Sequence, residues 1–174
     1  MKPITHIRYP RITTIFFVLL MTSFASCGKS PHKSAVGKIG QATISIDYSS
    51  PSVKGRTIWG ALVPYDKIWR AGANAATVFE TDKDLTIDGK NLPAGRYSLF
   101  AIPGKTSWTM IFNSQTGQSG IKQNGEANLD RSQDVLTISV QPISNPMMEN
   151  LTYEVNEQGI ALVWEKVRIP INIK

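Results

Sequence analysis

The chain has 174 residues, with 19 Lys and Arg against 13 Asp and Glu, a net charge of +6, two histidines and one cysteine. One cysteine excludes an internal disulfide, and so small a histidine count excludes a Ser-His-Asp or Cys-His site and a zinc centre of the usual His/Cys kind in the folded part. The cations form no basic block of the sort that tracks nucleic acid, so no nucleic-acid partner is expected.

The chain begins with Lys2, Arg8 and Arg11, an apolar run from Ile12 to Met21, and then Thr22-Ser23-Phe24-Ala25-Ser26-Cys27. A basic start, a short apolar stretch and small residues before a cut site predict a secretory signal over residues 1–26. The run is shorter than the roughly 20 apolar residues that span a bilayer. Phe24-Ala25-Ser26-Cys27 resembles the lipobox of bacterial lipoproteins, with Phe24 where leucine is usual. Cleavage there makes Cys27 the new N-terminus and the expected site of lipidation, and several acyl chains make a stable anchor. Gly28 follows in place of the aspartate that retains some lipoproteins in the inner membrane, so an exported, lipid-anchored protein of the outer membrane is expected, with the membrane as partner through Cys27. Loss of residues 1–26 lowers the 19 basic residues to 16 against 13 acidic, and +6 to +3.

Residues 27–40 are polar, with Gly, Ser and Pro, and read as a flexible tether. Lys29, Lys33 and Lys38 within it suit anionic headgroups or a plain soluble spacer equally well. His32, the histidine left after processing, falls in this segment.

From Gln41 to Lys174 the dominant period is two. Ile44, Ile46 and Tyr48 alternate with polar residues, as do Tyr97, Leu99 and Ala101, then Trp108, Met110 and Phe112. Leu136, Ile138 and Val140 follow, then Leu151, Tyr153 and Val155, Ile160, Leu162 and Trp164, and finally Val167, Ile169, Ile171 and Ile173. This alternation predicts strands with one face on a core and one toward water. Asp88-Gly89 predicts a tight hairpin, Glu157-Gln158-Gly159 a second turn, and the polar Gln115–Asn128 stretch a long loop. Pro170 cannot donate to a ladder, so the last strand should lie at an edge or carry a bulge. Asp82, Asp84 and Asp88 read as solvated turn charges rather than a calcium loop, and no metal or cofactor is expected. The whole predicts one all-β domain, residues 41–174, an antiparallel β-sandwich of jelly-roll-like kind, with a closed barrel as the alternative.

One segment breaks the alternation. Lys54 to Asn74 carries Trp59, Tyr65 and Trp69 beside Lys54, Arg56, Arg70 and Asn74. Ile58, Leu62 and Val63 allow one helical turn before Pro64 stops it. A loop this long in a small domain is functional or is packed by its own side chains. In the structural reading the aromatics plug one end of the sandwich, while Arg56 and Arg70 satisfy backbone carbonyls or pair with Asp47, Asp66 or Glu80. In the binding reading the aromatics form a platform, and Lys54, Arg56, Arg70 and Asn74 supply donors for a glycan or a planar anion.

Val53-Lys54-Gly55-Arg56, Leu62-Val63-Pro64-Tyr65, Ile68-Trp69-Arg70-Ala71-Gly72-Ala73-Asn74, Leu92-Pro93-Ala94-Gly95-Arg96-Tyr97-Ser98-Leu99 and Val167-Arg168-Ile169-Pro170 resemble the bacterial family of domain of unknown function 2911. The likeness departs at Ser119-Gly120, where relatives tend to show Trp-Gly. The resemblance implies a secreted or lipid-anchored β-rich domain and no particular activity. The expectation is a non-catalytic binding module for a glycan, peptide or small anion. The alternatives are a structural protein that contacts another envelope protein and a hydrolase using two carboxylates, for which the sequence locates no pair.

Overall fold

The computed structural model describes residues 28–174. The signal segment and Cys27, with the expectations attached to them, lie outside the described residues. Period-two sequence folds as strands throughout. In chain order they are β1 (His32–Ile39), β2 (Ala42–Ser49), β3 (Thr77–Thr81), β4 (Leu85–Ile87), β5 (Lys90–Leu92), β6 (Gly95–Ile102), β7 (Trp108–Asn113), β8 (Asp134–Val140), β9 (Ile143–Asn156) and β10 (Gly159–Asn172). A single turn of 3-10 helix, Arg131–Gln133, is the only helical element among the described residues.

Six strands form an antiparallel sheet in the order β1-β2-β3-β6-β7-β8, and β9 with β10 forms a long two-stranded ribbon. The two share one core: Ile44, Ile46, Phe79, Leu99 and Met110 from the sheet belong to the same buried cluster as Leu151, Leu162 and Trp164 from the ribbon. Each such side chain contributes about 1.5–3 kcal/mol of burial, which is why the alternation dictates the register. The expected all-β antiparallel fold is present. The large sheet runs up and down, each strand beside its successor with the β4–β5 hairpin inserted, rather than through the crossed connections of a jelly roll.

Local chemistry sets the details. Asp88 and Gly89 both have positive φ, 50° and 73°, the geometry of a two-residue hairpin that joins β4 to β5. The pairing of β10 with β9 shifts register on either side of Glu165, and its last paired position is Arg168, so Pro170 lies beyond the ladder and withdraws no bond from it. Asp82 and Asp84 are turn carboxylates that accept the amides of Thr43 and Ala94, at 2.7 and 2.8 Å.

Three expectations need correction. Residues 32–39 are not a tether: β1 pairs with β2 at eight successive positions, from His32↔Ser49 to Ile39↔Ala42. Its alternation is carried by Ala35, Gly37 and Ile39, and Gly37 hides the signal because Val155 of β9 takes the place of its side chain. A Cβ there would stand 2.7 Å from Val155 Cγ1. The domain therefore begins near residue 30, with Ser50 donating to the Pro31 carbonyl at 2.8 Å. Second, the segment at Ile58–Val63 is a wide turn, closed by Val63 N–H to Ile58 C=O at 2.9 Å, and no helix forms there. Third, the middle of the large sheet is covered on both faces. Phe100 and Ile111 point away from the main core and are buried with Ala76 under Ile68, Ala127 and Leu129.

Candidate functional site

The Lys54–Asn74 loop is stapled to the domain along its length. Lys54 and Gly55, with φ of 48° and 67°, make a tight turn closed by Arg56 N–H to Val53 C=O at 3.0 Å. Glu149 of β9 holds that turn by its carbonyl, to Val53, and by its carboxylate, to the Lys54 amide at 2.8 Å. Farther on, Trp69 exchanges two backbone bonds with Ala101 of β6, at 2.7 and 2.8 Å. The Ala71 carbonyl then accepts from Tyr153 Oη at 2.8 Å and Thr77 Oγ1 at 3.0 Å. Burial pushes the Tyr153 hydroxyl well above its ordinary value, so it stays a donor.

All four tryptophans of the chain meet over this anchor. Trp59 lies edge-on to Trp108 at 4.9 Å, to Trp164 at 5.6 Å and to Trp69 at 5.9 Å, and Trp69 stacks on Trp164 at 6.1 Å with planes 18° apart. Edge-on and stacked pairs each add about 0.5–1.5 kcal/mol beyond burial. Among the described residues no oxygen accepts from Trp59 Nε1 or Trp164 Nε1, both buried within this ring cluster. Trp69 Nε1 donates to the Gly72 carbonyl at 3.1 Å.

One side of the cluster opens into a cleft of about 580 Å³. Its floor is Trp69 and Trp164, its apolar rim Leu62 and Val63, and its cations are Lys29, Lys54, Arg56 and Arg70. Among the described residues no acidic side chain lines it. Five of the seven candidate residues are brought together here, namely Lys54, Arg56, Trp69, Arg70 and Asn74. Trp59 is in the cluster behind the floor, and Tyr65 lies apart from the lining with its ring over Gly60.

The cations differ in how they are held. Arg56 Nε donates to the Val53 carbonyl at 3.1 Å and its Nη2 to the Ser52 carbonyl, so it closes its own turn as the structural reading expected. Asn74 Nδ2 donates to the Ser30 carbonyl at 3.1 Å and fixes residues 28–31 as the cleft's other wall. Arg70 makes none of the expected pairs with Asp47, Asp66 or Glu80. The ion pairs among the described residues are Arg131–Asp134 and Arg168–Glu154. Burial pulls the Arg70 guanidinium below its ordinary value, and its Nε is buried with no acceptor among the described residues. Its stem crosses Gly120, where a Cβ would stand 2.0 Å from Arg70 Cδ. The Gln115–Asn128 loop thus positions Arg70 through the absence of a side chain.

Three contributors were missed. Trp108 and Trp164 read as core members of separate strands, and period two says which face they take but not that they converge on the loop. Lys29 read as tether, because β1 went unrecognised.

No curated protein and no solved structure matches the chain. A family model described as Protein of unknown function (DUF2911) matches residues 30–173, in agreement with a domain that begins before β1, and the chain belongs to that family.

Proposed function

We propose that the protein is an exported envelope lipoprotein whose domain is a non-catalytic binding module for a small anion or an acidic glycan. The observation that carries this reading is the cleft, which sets four cations around a tryptophan floor with no acid from the described residues among them. Arg70 is partly buried and its Nε has no acceptor among the described residues, and perturbed charges of this kind cluster at functional sites. Guanidinium groups grip planar carboxylates and phosphates in pairs of hydrogen bonds, and an indole face suits the ring or apolar body of the same ligand. The volume is that of ordinary small-molecule sites.

Calorimetric titration of the domain with glucuronate, acidic peptides and glycerol phosphate tests it. Saturable binding to one of these, lost in Arg70→Met, is expected. Absence of binding to all three, and to anionic vesicles as well, refutes the module. Intact mass of membrane-derived protein should show loss of residues 1–26 and acyl mass on Cys27. A soluble product that keeps residues 1–26 would refute the anchor. The assembly reading draws on a different place, the β8 edge, where Val135 is exposed, and on exposed Ile143 and Met147 of β9. A stoichiometric envelope protein captured by the full-length lipoprotein and released by Val135→Lys would favour that alternative.

A further inference from the structure

We infer that the occupant of the cleft is the headgroup of an anionic phospholipid of the membrane that holds the protein. The inference rests on reading the cleft as an anion site and Cys27 as the anchor, and it adds where the anion comes from. Gly28 and Lys29 belong to the cleft lining. Gly28 is the first of the described residues, and in the anchor reading the acylated residue directly precedes it in the chain. No spacer intervenes, because Asn74 holds the Ser30 carbonyl, Ser50 holds that of Pro31, and β1 starts at His32. A long tether would leave the domain free to turn any face to solvent. A chain fixed from Ser30 onward keeps this end against the bilayer surface.

The chemistry of the cleft suits that place. Arg70 and Lys54 offer a fork and a point charge for a phosphate, the groups that recognise phosphate elsewhere. Leu62, 45% exposed, lines the same cleft as Trp69. An apolar and an indole side chain beside cations are what the boundary between headgroups and acyl chains accommodates. A free anion would use the cations and leave Leu62 without purpose.

The test uses residues 28–174, which hold the ten strands and the buried core of the described residues. Flotation with phosphatidylglycerol and with phosphatidylcholine vesicles is compared with titration by free glycerol phosphate. Preference for phosphatidylglycerol vesicles is expected, weakened about tenfold or more by Arg70→Met, Lys54→Gln and Leu62→Ser, as loss of one charge-assisted contact implies for the cations. Lys90→Gln, which removes a charge outside the cleft, should leave it unchanged. Cleft-dependent binding of free anions with no vesicle preference would overturn the lipid assignment and leave the module standing. Vesicle binding that Lys90→Gln weakens as much as Arg70→Met would overturn it as mere surface charge. Absence of binding to either would overturn both.

Discussion

Arg70 separates a binding site from an internal clamp by stability alone. Truncation to alanine removes a stem that packs across Gly120. Two methylenes, Cγ and Cδ, at about 0.8 kcal/mol each make that loss about 1.6 kcal/mol. The same truncation removes a buried Nε–H with no acceptor, whose unmet desolvation costs about 1–3 kcal/mol in the native state. The two nearly cancel, so Arg70→Ala should change stability by no more than about 1 kcal/mol either way. Arg70→Met keeps the stem and deletes the stranded donor, and should raise stability by about 1 kcal/mol or more. A clamp would behave otherwise, since breaking a buried ion pair costs about 3–5 kcal/mol. Urea melts followed by tryptophan fluorescence decide between them. At a slope of about 2 kcal/mol per molar, a 3 kcal/mol loss moves the midpoint by about 1.5 M. A drop of that size in both variants would refute the assignment and show that Arg70 satisfies an internal partner.

The other expectations follow from the same geometry. Trp164→Ala should destabilise by about 3–5 kcal/mol, toward the upper end because the ring also loses Trp59 and Trp69, and a loss under about 1 kcal/mol in denaturant melts would contradict its burial. A domain that starts at Gln41 should be unfolded or aggregated by circular dichroism and gel filtration where one starting at Gly28 is monodisperse, since deletion of β1 bares the β2 edge. Gly120→Ala should displace Arg70 and weaken anion capture in the same titrations, and should also cost about 1–3 kcal/mol in denaturant melts, because the added Cβ would stand 2.8 Å from Arg70 Cβ, which cannot move without its backbone. Burial raises the Tyr153 and Tyr48 hydroxyls above their ordinary value of 10.0, so above that pH the unfolded chain sheds protons the native state keeps. Stability is then full below pH 10 and falls as pH rises beyond it; melts across that range in Tyr153→Phe should show a shallower decline.

Period-two hydrophobicity was enough for the sequence to determine most strands, the Asp88-Gly89 hairpin and the burial of Trp164, because each depends on one face meeting one core. It also marked the Lys54–Asn74 loop as the exception, since aromatics and arginines without alternation cannot belong to a ladder. β1 was illegible because its inward positions are Ala35, Gly37 and Ile39, and at Gly37 the packing is done by Val155 from the far end of the chain. The tertiary structure alone decided that Trp59, Trp69, Trp108 and Trp164 form one cluster and that residues 28–31 wall the cleft beside it. Those neighbours come from four separate segments, and their convergence depends on sheet order and strand crossing, which local periodicity does not encode. The same holds for Arg70: its residue type announced a charge that needs a partner, and only the fold shows that no acid among the described residues lies within reach of it.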